Sequence, residues 1–275
     1  MKHTILTMYC LSDDLLKAMN YQDDPQTKLS TAEVMTVPLV AAAFFGGKVE
    51  WARCFLIEHG YFTQPLSQSR LNRRLHALPL AVWQTLFALL GEVFQQHNAD
   101  GNYVLDSLPI PVCDNIRIKR CKLFQGEEHR GYCASKRRYF YGLKVHLVIT
   151  GSGWPIEFVL TPGATGDVQA LKLLALDLPR GATVHGDRAY TDYQEEDLLQ
   201  EAGQITLQPQ RKRNAKRVLP PWLEFLAKPV RQRVETTFSQ VTSLFPKHIN
   251  AVTPQGFILK VTCFLLAFAF HCLQG

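Results

Sequence analysis

The spacing of apolar residues predicts helices throughout the first hundred positions. Within residues 67–78, leucines recur every three or four positions and therefore share one helix face. Another helix is predicted to start after Ser30, because Ser30 and Glu33 have the spacing of a capping box. A third stretch, 81–97, is strongly apolar. These features predict a helical N-terminal domain over residues 1–100.

Beyond a polar break at residues 97–102, the pattern changes to short apolar or alternating runs, which are typical of strands. Five runs have this character: 103–107, 139–150, 156–161, 183–186 and 205–208. Pro109 and Pro111 are expected to end the first of them. Three longer stretches have helical spacing: 167–178, 192–202 and 230–245. An early hairpin followed by strand–helix alternation predicts an α/β domain over residues 101–275, with a mixed five-stranded sheet and helices on its faces.

The composition indicates what kind of partner the protein binds and in which cellular compartment it resides. The 275 residues are 47% hydrophobic, enough for a sizeable core, and the net charge is +6. Many basic residues gather in clusters between positions 117 and 233, a distribution that favours a polyanion such as nucleic acid as the partner. The seven cysteines include no CxxC pair, which favours free thiols in a reducing compartment over disulfides or a zinc site.

The two ends of the sequence predict no membrane association. The N-terminal residues lack the pattern of a secretory signal. The apolar run 257–273 contains Lys260 and His271 and is shorter than the roughly 20 residues that a membrane span needs. We therefore expect a buried terminal helix and a cytoplasmic, nucleoid-associated protein.

Three carboxylates lie at positions with chemical potential. Asp106 closes the first predicted strand, and Asp187 follows the fourth in the sequence HGDRAY, a place where α/β proteins bind ligands. Glu235 lies at the edge of an apolar helical stripe, one turn after Arg231. Each acid alone also fits an ordinary role, as a turn residue, a loop acid or half of a surface ion pair.

Taken together, these segments resemble bacterial insertion-sequence DDE transposases of the small, IS4-like kind. The matching stretches are YVLDSLPIPVC, YFYGLKVHLVIT, HGDRAYTDY and RQRVETTFSQV. In the last stretch Arg231 and Glu235 match the family's motif. Lys228 and Thr242 stand where IS4-like enzymes typically carry Tyr and Lys. The resemblance implies an RNase H-like catalytic domain over residues 101–275.

The resemblance further implies that Asp106, Asp187 and Glu235 hold two Mg²⁺ or Mn²⁺ ions and catalyse cleavage and strand transfer of DNA. Two carboxylates on adjacent strands, about 4.8 Å apart, repel each other unless a cation lies between them. Hard divalent ions prefer such oxygen ligands. Two ions can activate an attacking oxygen and stabilise a leaving one, so no nucleophilic side chain is expected.

DNA is the partner that the resemblance implies, both as transposon ends and as target. The N-terminal helices would recognise the ends, and because two ends are cut together we expect a homodimer on DNA. The side chains expected to contact DNA are Arg70, Arg73, Arg74, Lys136, Arg137, Arg138, Lys144, His146, Arg188, Arg211, Lys212, Arg213 and Arg231.

Two other functions fit the same residues. One is an RNase H-like DNA endonuclease that cleaves without strand transfer. The other is a catalytically inactive DNA-binding protein whose acids are structural. Joined DNA products would separate a transposase from the first, and metal-dependent nicking would separate it from the second.

Overall fold

The computed structural model describes residues 1–62, 64, 66–133, 137–211, 215–218 and 220–274. These residues pack as two compact units. One comprises Met1–Leu90 with Gln240–Gly275, and the other comprises Gly91–Ser239. The helices of the described chain are α1 (Lys2–Ala18), α2 (Thr31–Phe44), α3 (Val49–Glu58), α4 (Gln68–Ala77), α5 (Leu80–Gln96), α6 (Asp167–Leu171), α7 (Tyr193–Gly203), α8 (Pro221–Leu244) and α9 (Pro254–Cys272).

The first unit is helical, as the apolar spacing predicts. The capping box of α2 is present: the Ser30 hydroxyl accepts the Glu33 N–H at 3.1 Å, and the Glu33 carboxylate accepts the Ser30 N–H at 2.6 Å. Helix α4 begins after Ser67, whose hydroxyl accepts the Arg70 N–H. Leu71 and Leu75 of α4 are buried, whereas Arg70 and Arg73 are exposed. Sequence spacing therefore sets both the start and the orientation of this helix.

Helix α9 is a buried helix, which confirms the interpretation of the C-terminal apolar run. It packs against α2, and its residues from Val261 to Phe270 are all buried. By length and composition alone α9 qualifies as a membrane span, with 61% of its most apolar window buried inside the protein. Two bent helix pairs, α2 with α3 and α4 with α5, meet the same criterion only if each pair is taken as one span.

The second unit is built on a mixed sheet that has six strands in the described chain. The strands are β1 (Asn102–Asp114), β2 (Arg130–Cys133), β3 (Arg138–Thr150), β4 (Pro155–Pro162), β5 (Thr183–Gly186) and β6 (Thr206–Pro209). The order is β2-β3-β1-β5-β6, and β4 pairs with the same edge of β3 that β2 uses further along. Pairing is antiparallel among β1 to β4 and parallel from β1 through β5 to β6. This mixed topology, with its flanking helices, is consistent with an RNase H-like domain.

The sheet departs from the sequence prediction in strand number and in the length of β1. The additional strand is the short β2, which lies in a basic segment without a clear pattern. Strand β1 runs through Pro109 and Pro111 to Asp114, pairing with β3 throughout. Prolines two positions apart present their nitrogens to the same edge of a strand. Since β5 pairs with β1 only as far as Leu105, the opposite edge of β1 is free to accommodate them.

Helix α6 is also much shorter than predicted, because a side chain from β4 replaces its hydrogen bonds. The carboxylate of Glu157 accepts the N–H groups of Ala175 and Leu176, at 2.6 and 3.0 Å. Leu176 has a positive φ of 46°, which a continuing helix would not allow. Helix α8, in contrast, begins earlier than predicted and continues through Pro229.

Gly91 provides a test of how closely α5 packs on the sheet. A Cβ atom at this position would lie 2.3 Å from the carbonyl oxygen of Ile156 in β4. We expect Gly91→Ala to lower the free energy of unfolding by about 2 kcal/mol, although alanine favours helix, because backbone atoms cannot yield without moving the strand. Urea denaturation measures the change. Gly166→Ala is the control, since a Cβ there meets nothing within 4 Å, and an equal effect in both variants would contradict this packing.

Candidate active site

Asp106 lies on β1 at the point where the strand leaves the core. Val104 and Leu105 before it are buried, whereas Asp106 is half-buried. Its register partner on β3 is Leu147. One carboxylate oxygen accepts the N–H of Ser107 at 2.7 Å. The strand and this hydrogen bond together restrict the orientation of the carboxylate.

Asp187 lies immediately after β5, at the same end of the neighbouring strand. The parallel pairing of β1 and β5 ends at Leu105 and Gly186, so Asp106 and Asp187 each follow the last paired residue. Asp187 caps a 3-10 turn formed by Arg188–Tyr190, and its carboxylate accepts the Ala189 N–H at 2.8 Å. The structure therefore brings these two acids to one edge of the sheet, the carboxyl end of its parallel strands, where α/β sheets bind ligands.

A chain of buried polar side chains runs behind this edge. The Tyr190 hydroxyl lies 2.8 Å from Nδ1 of His146, and Nε2 of His146 lies 3.1 Å from the Thr161 hydroxyl. Tyr190 and His146 are 0% exposed and Thr161 is 1% exposed. The chain joins the turn after β5 to the middle of β3 and on to β4, so three segments are tied by side chains as well as by the sheet.

Burial decides the charge of this polar chain. It lowers the pKa of His146 to about 4, a shift that Asp167 opposes and Lys144 supports. It raises the pKa of Tyr190, and the carboxylates of Asp167, Asp106 and Asp187 raise that pKa further. Both side chains are therefore neutral at neutral pH.

Lys144 and Asp167 form an ion pair beside the same chain. The Lys144 ammonium donates to the Thr165 carbonyl at 2.9 Å and to the Asp167 carboxylate at 3.2 Å. The Asp167 carboxylate also lies 3.8 Å from Nδ1 of His146. Because the Lys144 and Asp167 side chains are only 17% and 18% exposed, the pair is largely withdrawn from water.

The family profile of the transposase DDE domain matches residues 96–248 of this sequence, more than half of the chain. The match includes both aspartates of the sheet edge and Glu235. The chain belongs to the DDE transposases. Among curated proteins, none matches the sequence significantly.

Glu235 of the transposase lies on α8 with an exposed side chain. Val234 and Phe238 on the same helix are buried, as the apolar stripe predicts, and the Thr237 hydroxyl lies within 3.5 Å of the Gly153 carbonyl. Across the described residues, no group of three or more His, Cys, Asp or Glu side chains is placed to hold a metal ion. The structure thus joins the two aspartates at one edge but does not gather Glu235 with them.

The arginines of α4 line a concavity in the first unit. Its volume is about 430 Å³, and the residues around it are Gln26, Thr27, Lys28, Leu66, Arg70, Arg73, Arg74 and Ala77. Arg74 is fixed by the Leu29 carbonyl, the Thr31 hydroxyl and the Asp23 carboxylate. Arg70 and Arg73 are exposed. One arginine therefore braces the wall while two present their charge to solvent.

The other cations predicted to contact DNA have different surroundings. His146 is fully buried and Lys144 is paired with Asp167, so neither presents a free charge. Arg188 and Arg137 are exposed, and Arg138 lies 3.2 Å from Asp114. Lys136, Lys212, Arg213 and the side chain of Arg231 lie outside the described part of the chain.

Arg211 is held by the transposase itself. Its guanidinium donates two hydrogen bonds to the Glu196 carboxylate, at 2.8 and 2.7 Å, and both side chains are less than 10% exposed. Arg217 makes a similar two-point contact with Asp197, at 2.7 and 2.8 Å. The segment after β6 is therefore anchored to α7 by ion pairs.

Sequence reasoning missed Tyr190, Thr161 and Asp167 as members of this region. Tyr190 follows Asp187 by three residues in HGDRAY, so its place beside the acid was visible, but nothing marked it as buried. His146 pairs with Val159 of β4, and Thr161 lies two residues further along β4. This relation between His146 and Thr161 exists only once β3 and β4 are aligned. Alternation along β3 was the available signal for His146, and it does not distinguish a solvent-facing position from a buried one.

The low pKa of His146 predicts a pH-dependent stability. Because its folded-state pKa of about 4 is below the usual 6.5, unfolding takes up a proton between these values, and stability falls as the pH falls through this window. We expect His146 to account for a loss of about 2 kcal/mol between pH 7.5 and pH 5. Urea denaturation of wild type and His146→Asn at both pH values isolates the contribution of His146. The stability advantage of wild type should shrink by that amount at pH 5, and an unchanged difference would mean that His146 is not buried in its neutral form.

Proposed function

We propose that this DDE transposase catalyses metal-dependent cleavage and strand transfer of DNA at the ends of an insertion sequence. The observation that carries the proposal is the pair Asp106 and Asp187 at the carboxyl edge of β1 and β5. Both carboxylates accept backbone N–H groups, which holds them in place before any ligand arrives. A pair of oriented carboxylates at a strand edge suits phosphoryl transfer, whose catalysis depends on positioning and charge neutralisation.

The aspartate pair fits the divalent ions that DDE transposases generally use. Mg²⁺ is commonly bound through one or two carboxylates together with substrate phosphates, and both aspartates are oxygen ligands of that kind. We propose that Asp106 and Asp187 would hold Mg²⁺ or Mn²⁺. When bound, such ions neutralise the charge of the phosphate and activate the attacking oxygen.

Glu235 is proposed as the ligand of the second ion. Its support is the family motif in RQRVETTFSQV and its place on α8, within the matched residues. The exposed side chain is free of the core stripe formed by Val234 and Phe238. We propose that α8 brings Glu235 to the aspartates when DNA and metal are bound, a change of the kind that often accompanies binding in regulated complexes.

The N-terminal helices, residues 1–100, are proposed to bind the transposon ends. Arg70 and Arg73 present charge at the rim of the α4 concavity, and Lys28 lies at the same concavity. Cations grouped on one exposed face bind the phosphate backbone and make affinity strongly salt-dependent. Cleaving two ends together would require at least a homodimer on DNA.

Substitution of the acids tests the catalytic proposal. We expect Asp106→Asn, Asp187→Asn and Glu235→Gln each to reduce cleavage of an end-containing duplex at least a hundredfold in Mg²⁺ while DNA affinity is preserved, because each removes a charged oxygen ligand. Gel analysis of nicked and joined products measures the effect.

Glu201→Gln, an exposed helical glutamate of α7, is the matched control and should cleave like wild type. Retained cleavage in one of the three variants would remove that acid from the site. Nicking without joined products would favour an endonuclease. Binding without nicking by wild type would favour an inactive DNA-binding protein.

Substitution of the α4 arginines tests the DNA-binding proposal. We expect Arg70→Ala and Arg73→Ala each to weaken binding of end-containing DNA about tenfold at moderate salt. The slope of log affinity against log salt should fall by about one for each phosphate that the variant no longer neutralises. Arg180→Ala removes an exposed arginine of the second unit and is the control. Unchanged affinity and slope in both α4 variants would place the DNA elsewhere.

A further inference from the structure

We propose that Tyr190 and His146 are positioning residues that set the relative placement of Asp106 and Asp187 before metal binds. The inference rests on the proposed function of these aspartates. Neither Tyr190 nor His146 is proposed to contact a reacting atom. Both act by holding Asp106 and Asp187 in place. A metal-binding pair needs its ligands held within roughly 0.5 Å of productive geometry, so a device that fixes the two acid-bearing segments to each other has a clear role.

Tyr190 connects the two acid-bearing segments. It belongs to the 3-10 turn that Asp187 caps, and its hydroxyl reaches His146 of β3, the register partner of Ser107, which is the residue after Asp106. Its ring packs beneath β5, where a Cβ added at Gly186 would lie 3.4 Å from the Cβ of Tyr190. One fully buried side chain therefore ties the turn that carries Asp187 to the residue of β3 that pairs beside Asp106. A displacement of either segment would strain the same hydroxyl.

His146 holds the tyrosine hydroxyl from β3. A neutral imidazole has one donor and one acceptor nitrogen, and its two nitrogens contact the hydroxyls of Tyr190 and Thr161. Hydroxyl groups both donate and accept, so the side chains of Tyr190, His146 and Thr161 form a hydrogen-bonded chain. Such a chain is rigid when every member is satisfied, because breaking one link leaves a buried polar group without a partner.

The charges around the chain explain why neutral groups are used. Asp106, Asp187 and Asp167 all lie close enough to Tyr190 to raise its pKa, and Lys144 is paired with Asp167. A further cation at this place would compete with a metal ion for the two aspartates. A further anion would add to the repulsion between them. A phenol and a neutral imidazole fix the geometry without doing either.

Loss of the tyrosine hydroxyl tests the inference without relying on catalysis. The readout is the Mn²⁺ concentration that raises the melting temperature of the DNA-free protein, since a ligand bound only by the folded state stabilises it by mass action. We expect Tyr190→Phe to need at least tenfold more Mn²⁺ than wild type for the same shift, the scale on which residues that orient metal ligands act. Circular dichroism confirms that the variant is folded.

Tyr103→Phe is the matched control. Like Tyr190, Tyr103 is fully buried, and it lies on β1. Its hydroxyl has no hydrogen-bond partner in the described structure. The control should therefore respond to Mn²⁺ like wild type. Equal Mn²⁺ dependence of wild type, Tyr103→Phe and Tyr190→Phe would overturn the inference.

Two replacements of His146 provide an independent test. Asparagine places its amide near the position of Nδ1 and can still contact Tyr190, whereas glutamine places its amide near Nε2 and can still contact Thr161. We expect His146→Asn to bind Mn²⁺ within about threefold of wild type, and His146→Gln to lose affinity as Tyr190→Phe does. The opposite order would show that His146 does not act through the tyrosine and would overturn its role.

Asp187→Asn separates this inference from the function on which it rests. If Mn²⁺ stabilises wild type but not Asp187→Asn, the metal site stands, and the tyrosine and histidine variants alone decide the inference. If Mn²⁺ does not stabilise wild type, the proposed metal site is wrong and the inference is overturned with it.

Discussion

The parallel pairing of β1 with β5 is the contact on which the proposed chemistry of this transposase depends. Only four residue pairs form it, from Asn102 with Thr183 to Leu105 with Gly186. Those pairs set the register that delivers two distant aspartates to the same edge. Because side chains alternate along a strand, a slip of one residue would turn Asp106 to the other face of the sheet. The antiparallel pairing of β1 with β3 over its whole length stabilises that register from the opposite side.

Bringing two carboxylates to one edge creates an electrostatic cost that the rest of the site is arranged to manage. At an effective dielectric constant of about 20, like charges 5 Å apart repel by roughly 3 kcal/mol. The backbone N–H groups of Ser107 and Ala189 offset part of this repulsion between the carboxylates. The remainder would favour the proposed binding of a cation, so the same repulsion that opposes folding would support it. Neutral Tyr190 and His146 leave that preference intact.

Local chemistry made much of the fold predictable. The capping box at Ser30, the leucine face of α4 and the five main strands all depend on residues close together in sequence, and each is present. Asp106 and Asp187 were recognisable because each follows a short apolar run, which in β1 ends with the residues that pair with β5 rather than with the strand itself. Their proximity also follows from the fold class, since RNase H-like sheets place these strands side by side.

Features that depend on distant partners were not predictable. Strand β1 continues through its prolines because the strand edge that accommodates them is unpaired there, which no local pattern reveals. Helix α6 ended early, and Glu157 of β4 accepts the N–H groups of Ala175 and Leu176 that a longer helix would have used. His146 was expected to contact DNA, yet it is buried and its ring contacts Tyr190 and Thr161. The position of Glu235 relative to the aspartates depends on how α8 lies, which is a tertiary property.

The buried pair of Arg211 and Glu196 changes how the basic character of this protein should be counted. A guanidinium that already neutralises a carboxylate displaces no ions from a nucleic acid when the two molecules meet. Counterion release, the entropic source of most nonspecific DNA affinity, is therefore supplied by fewer cations than the number of basic residues suggests. For this transposase, Arg211 and Arg217 anchor the segment after β6 to α7, and sequence composition alone would overstate the attraction of these two arginines for DNA.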